Sequence, residues 1–97
     1  MKFCVRFVSS ADEDLGYYQD LEQKIIFDAI RKFLDVDANV ETKRRKQLRQ
    51  NHLAPWELRI GDYRVFYEIK SVELVRVLAI GHKVHNDLFI RGERVEI

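Results

Sequence analysis

Cysteine, proline and long apolar runs are what this 97-residue sequence has least of. It holds a single cysteine, which excludes an intramolecular disulfide. Cys4 sits among apolar residues and no motif surrounds it, so it reads as a small core hydrophobe and not as a reactive thiol. A chain so poor in cysteine has a cytosolic location as its default expectation. No segment approaches the roughly 20 apolar residues of a membrane span. Charges interrupt the apolar run of MKFCVRFVSS, so the N-terminus reads as a strand and not as a signal peptide. Internal repeats and low-complexity stretches are missing too.

Net charge is also nearly absent, at +1. Its distribution is uneven. Segment 42–56 carries Lys43, Arg44, Arg45, Lys46 and Arg49 with no acidic residue, leaving 12 of the 17 basic residues against all 16 acidic ones elsewhere. Such a segment can grip a phosphate backbone locally. A solvated loop or helix face accounts equally well for the charge alone. The length fits one domain over residues 1–97. Hydrophobic residues are 46% of the chain and aromatics 11%, enough to close a modest core without metal or disulfide.

Residues 2–8 alternate as a strand, with Phe3, Val5 and Phe7 on one face. Ser10 and Glu13 have capping-box spacing, which predicts a short helix carrying Leu15 and Tyr18 inward. Asp20 is placed to cap a second helix over 21–35. Leu21, Ile25, Ile26, Ala29, Ile30, Phe33 and Leu34 recur there at spacings of three and four, the stripe of a helix lying on a sheet. Residues 35–55 read as a polar connection with one helical turn near 42–48. From Trp56 the period changes to two. WELRI, YRVFYEI and LVRVLAI form three strands joined by tight turns, and residues around Phe89, Ile90, Val95 and Ile97 form a terminal hairpin. The fold class is α+β. A first strand and a helical hairpin pack on one face of a mostly antiparallel four-stranded sheet, with a short C-terminal β-hairpin.

Parity sorts the faces. Val65, Tyr67 and Ile69 share the apolar face, and Val75, Val77 and Ala79 oppose Leu74, Arg76, Leu78 and Ile80. Trp56 falls with the core residues, and His52 in a loop is a surface residue. Glu57, Arg59, Arg64 and Arg76 gather on the opposite face. Cross-strand salt bridges are one explanation of that pattern. A phosphate grip is the other, because arginine stays charged and binds phosphate through a bidentate fork.

PWELRIGDYRVFYEI followed by LVRVLAIGHK resembles the signature of RelE/ParE-superfamily toxins. A basic residue precedes a glycine turn, a Tyr-Arg-apolar triplet opens the next strand, and the last core strand ends Gly-His-basic. The motif spans about residues 48–83, and the SSADEDL helix start is similar as well. The resemblance implies the toxin of a type II toxin–antitoxin module. It implies a ribosome-dependent mRNA endonuclease that uses no metal and no cofactor, kept silent by a cognate antitoxin in a hetero-oligomer. It implies catalytic roles for Arg64 and Arg59 at the scissile phosphate, with Lys83 just past the last strand. His82 or His85 would be acid or base, since histidine titrates nearest neutral pH. Lys46 stands where related toxins place a carboxylate and could serve as base among its cationic neighbours. RNA contacts fall to Lys43, Arg44, Arg45, Arg49, His85 and Phe89, the last at the position of a usual tyrosine. Two alternatives stay open: a ParE-like inhibitor of DNA gyrase, and a catalytically silent binding or regulatory relative.

Overall fold

The computed structural model describes residues 2–97. Its elements are β1 (Cys4–Phe7), α1 (Ser9–Gly16), α2 (Asp20–Leu34), β2 (Arg45–Gln47), β3 (Trp56–Ile60), β4 (Tyr63–Ile69), β5 (Leu74–Val84), β6 (Asp87–Ile90) and β7 (Glu93–Val95). Strands β2 to β7 follow one another antiparallel in sequence order, and β1 pairs β5 in parallel. The helical hairpin covers one face of this sheet, as expected. The sheet is larger than the expected four strands with a terminal hairpin, because it gains β2 at one end and runs on without a break into β6 and β7.

Both helices begin differently from expectation. At the start of α1 the serines donate no side-chain cap, and Val8, in extended conformation, takes the N-cap position. The Val8 carbonyl accepts the amides of Ala11 and Asp12. The Glu22 carboxylate instead reaches back to the Gln19 amide at 3.1 Å, so it is α2 that carries the reciprocal cap. Only part of the expected stripe on α2 is covered. Ile26, Ile30 and Leu34 are buried at i, i+4 and i+8, while Leu21 and Ile25 stay exposed. Truncating a side chain such as Ile30 to alanine in this layer would cost about 2–5 kcal/mol.

The turn expected near 42–48 is a strand. The Thr42 hydroxyl accepts the Arg44 and Arg45 amides, and Arg45–Gln47 then pairs with the WELRI strand, with Lys46 opposite Glu57. The long connection ends in a loop built on Asn51, whose side chain bonds the backbone of Arg49, Leu53 and Ala54. Cys4 is exposed, because Phe3, Val5 and Phe7 turn inward and its own parity points out.

Two apolar clusters sandwich the sheet. The larger lies under the helices and includes Ile26, Ile30, Leu58, Val65, Tyr67, Val75, Val77 and Ile80. Within it the Tyr67 hydroxyl donates to the Ala38 carbonyl at 2.8 Å, and Trp56 stacks on the Tyr67 ring at 5.8 Å. The smaller lies on the outer face and joins Ala54, Phe66, Ala79 and Leu88. Leu78 is the reason these lists break simple parity. The β4–β5 register passes from Tyr67↔Val77 to Phe66↔Ala79, so Leu78 is an extra residue in β5. Such a bulge reverses the alternation beyond it. Ile80 therefore joins the helix-side core and Ala79 the outer face, the opposite of what alternation predicts.

Candidate functional site

The outer face is built by register. Glu57 and Arg59 alternate with the buried Leu58 on β3, and Arg64 lies directly across from Arg59 on β4. Lys46 lies across from Glu57 on β2. The bulge sends Gly81 and Lys83 to the same side, Gly81 opposite Arg64 and Lys83 next to β6 opposite Leu88. Lys46, Arg59, Arg64 and Lys83 thus share one face with the Glu57 carboxylate. Gly81 permits the close approach of β6: a β-carbon there would collide with the Phe89 carbonyl.

Glu57 is the hub. Its side chain is only 5% exposed, and its two oxygens lie 2.7 Å from Arg59 Nε and 3.9 Å from Arg64 Nε. Arg64 is also held from behind. Its Nη1 donates to the Gly61 and Tyr63 carbonyls at 2.8 and 2.9 Å, at the turn between β3 and β4. Its Nε is a buried donor with no hydrogen-bond partner among the described residues. Burial pulls the Arg64 pKa down, the Glu57 charge opposes that, and Arg59 adds to it. An arginine starts so high that it stays a cation. A fixed, partly dry guanidinium is suited to an anion. Arg76, grouped with these arginines by parity, pairs with Glu68 at 2.7 Å further along the sheet.

His82 goes the other way. It follows Ile80 to the helix side, where Nδ1 lies 2.7 Å from the Tyr18 hydroxyl and the ring stacks on Phe89 at 5.9 Å. Burial, foremost, pushes the Tyr18 pKa up, so the phenol keeps its proton in this contact. Both rings border a cleft of about 810 Å³ lined also by Tyr17, Glu22 and Tyr63. There Tyr63 donates to Glu22 at 3.0 Å. The structure therefore brings Arg59 and Arg64 together on Glu57, with Lys46 and Lys83 on the same face, and turns His82 and Phe89 to the helix side; Lys83 also borders the cleft that His82 lines.

The basic segment divides in the same way. Lys43 and Arg49 are exposed. Arg45 falls on the helix side, where its guanidinium donates to the Phe33 carbonyl at 3.0 Å and the Val40 carbonyl at 2.9 Å. Arg44 lies over the Phe33 ring at 5.0 Å. These two arginines tie the chain after α2 to the helix end. His85 is exposed in the turn between β5 and β6, with φ of 57°. Sequence reasoning placed Glu57 on this face without giving it the central position; its signal was a lone acid in an otherwise apolar and basic strand. It missed Asp14 altogether, a buried carboxylate on α1. Among the described residues no group of histidine, cysteine and carboxylate side chains is arranged to hold a metal, and no helix is long and apolar enough to cross a membrane.

Comparison with known proteins bears on this arrangement. A family model described as the ParE toxin of the type II toxin–antitoxin system, parDE, matches residues 5–86. Among solved structures, the chain is similar to one in the RelBE2 toxin–antitoxin complex from Mycobacterium tuberculosis. The TM-score is 0.66 and the identity 25%, covering 86% of this chain and 93% of that one. No curated protein matches the sequence.

Proposed function

The chain belongs to the ParE toxin family of type II toxin–antitoxin systems, and from that premise we propose that it is an RNA-cleaving toxin, a ribosome-dependent mRNA endonuclease working on the outer face of its sheet. One observation carries the reading: the register sets Lys46, Arg59, Arg64 and Lys83 on one face, where Arg59 and Arg64 share the carboxylate of Glu57. A purely structural face would balance its charges.

The chemistry is internal transesterification. The ribose 2′-oxygen attacks the adjacent phosphorus, the P–O5′ bond breaks, and the products are a 2′,3′-cyclic phosphate and a free 5′-hydroxyl. Such a reaction needs a base, a cationic clamp and an acid. Arg64, fixed by the Gly61 and Tyr63 carbonyls, and Arg59 clamp the phosphate and stabilise the phosphorane. Glu57 keeps both guanidiniums in place before substrate arrives. Lys46 takes the 2′-hydroxyl proton, and Lys83 delivers one to the departing 5′-oxygen. Lys43 and Arg49 hold flanking phosphates. A partner antitoxin would silence the site by covering this face with acidic and apolar residues, the complement of its arginines and of the neighbouring apolar cluster.

A gyrase-directed toxin is the second reading, favoured by the description of the matching family. Expression of the chain followed by mapping of mRNA 5′ ends and of gyrase-linked DNA breaks separates the two. New mRNA ends within translated frames, without DNA breaks, are expected. Gyrase-linked breaks with intact mRNA would overturn the proposal. A chain that expresses freely with neither signal, and no growth defect, would be a catalytically silent relative.

A further inference from the structure

Asp14 is 2% exposed, on a helix whose neighbouring inward position is filled by Ala11. An apolar residue would pack there without the desolvation cost of a carboxylate. Its partners explain what the carboxylate does. Oδ2 accepts the amide of Ile80, 66 residues away, at 3.0 Å, and Oδ1 lies 2.9 Å from Arg91 Nε.

The Ile80 amide sits at a particular place. Along the edge of β5 opposite β4, β1 pairs with residues 74–77 and β6 with residues 82–84. Residues 78–81 fall in the gap between them, immediately after the bulge at Leu78. A buried amide in such a gap needs an acceptor that no strand supplies. Asp14 is that acceptor, delivered from α1.

The bulge has a chemical consequence. Val75 and Val77 face the helices. Unbroken alternation from them would carry Gly81 and Lys83 to the helix side and His82 to the outer face. The extra residue exchanges them. His82 then meets Tyr18, and Lys83 faces the side of Arg59 and Arg64.

We propose that Asp14 is a positioning residue for the outer-face site: by accepting the Ile80 amide between β1 and β6, it holds the bulge that brings Lys83, in place of His82, to the face of Arg59 and Arg64. The proposal rests on the reading of that face as the RNA site for its activity readout, and on the register alone for its structural readout. The Arg91 contact has a separate role. It fastens the turn between β6 and β7 to α1, together with the Arg91–Glu13 pair at 3.1 Å.

The test compares Asp14→Asn, Asp14→Ala and Arg91→Ala in the full chain. The structural readout is NMR of the His82 imidazole nitrogens and the Ile80 amide. The activity readout is mRNA cleavage on ribosomes, resolved into kcat and KM. Asparagine still offers an oxygen to Ile80, so Asp14→Asn should keep the Tyr18-bonded His82 signal and stay within a few-fold of the native kcat. Asp14→Ala should lose that signal and lower kcat about 10²-fold, the scale of a misplaced catalytic group, with KM little changed. Adding Lys83→Ala to Asp14→Ala should cost nothing more, because the two act through one group. Arg91→Ala should lower the melting temperature and leave kcat alone.

An Asp14→Ala chain that keeps both the His82 signal and kcat overturns the proposal. So does loss of the His82 signal in both Asp14→Asn and Arg91→Ala, which would place the effect in the Arg91 pair and not in the Ile80 amide, and that pair of variants decides the question if Asp14→Ala does not fold. If the native chain cleaves no RNA, the proposed function fails. The NMR comparison still decides whether Asp14 holds the register.

Discussion

The two faces of the sheet use the same residue types to opposite ends. On the helix side, the Arg45 guanidinium is consumed by two backbone carbonyls near the end of α2, and Arg44 lies on the Phe33 ring. These cations finish a helix and close a loop. On the outer side, Arg59 and Arg64 share one carboxylate, two lysines stand in adjacent strands, and a buried guanidinium donor lacks a hydrogen-bond partner among the described residues. The difference lies in what is added to such bonds: Arg64 also holds two backbone carbonyls, but register turns it to the outer face, where it meets the Glu57 carboxylate. Charge density along the sequence does not reveal it: Arg45 and Lys46 are neighbours and point to opposite faces.

The largest effect should come from the outer face. Arg64→Ala should reduce mRNA cleavage by about 10²–10³, the usual cost of one lost transition-state charge contact. Its melting temperature should stay within a few degrees of native. Arg64→Lys should not restore the rate, because an ammonium cannot hold the Gly61 and Tyr63 carbonyls and still present a planar fork. A lysine variant with native kcat would mean that only the charge matters there. Next in size is the helix side. Arg45→Ala leaves the Phe33 and Val40 carbonyls without their donor and should cost about 1.5–3 kcal/mol of stability by urea denaturation. Its cleavage rate, measured well below the transition, should be native. A fall in kcat without a fall in stability would erase the distinction between the faces.

Most of this architecture is legible in the sequence, because periodicity reports burial directly. The change of period at Trp56 marks where helices give way to strands, and parity assigns Arg59, Arg64 and Glu57 to one face. Parity fails at Leu78, since a bulge depends on an acceptor 66 residues away that no local pattern reveals. That single residue accounts for the misplacement of Ile80 and for the company His82 keeps. The strand at Arg45–Gln47 is hidden for a related reason. It exists because the edge of β3 offers backbone partners, and its own sequence, Arg-Lys-Gln, has no strand preference. The exposure of Leu21 and Ile25 is invisible for another: apolar spacing defines a stripe, and tertiary packing decides which part of it is covered.

Asp14 joins the two faces and should give the chain a distinctive pH response. Burial, the largest influence, raises its folded pKa above the ordinary 3.8, with the Ile80 amide and Arg91 opposing and Glu13 adding to the rise. The unfolded carboxyl stays near ~3.9. Between those two values the folded chain binds more protons than the unfolded one, so this group's contribution to stability is fully present below the unfolded value. It is lost as pH rises through the folded one. Subtracting the Asp14→Asn denaturation series from the native series isolates this contribution from the other carboxylates. The difference should favour the native chain increasingly as pH falls through that window. A difference of the opposite slope would mean that the Arg91 pair outweighs burial.

The smallest expected effect is on RNA affinity from the exposed part of the basic segment. Lys43 and Arg49 lie beside β2 and are open to solvent, so neutralising them should alter neither stability nor kcat. It should change how binding responds to salt. Each phosphate contact on a single strand contributes about 0.7 to the slope of log K against log salt. In a cleavage-silent Arg64→Ala background, the double substitution Lys43→Gln, Arg49→Gln should lower that slope by about 1.4, read by fluorescence anisotropy on a short single-stranded RNA. Arg45→Ala should leave the slope unchanged, because its charge is turned to the helix end. Equal slopes for all three proteins would place the RNA path away from this segment. A slope change for Arg45→Ala as large as that of the double variant would show that the helix-side cations also meet RNA, and that register does not separate the two faces.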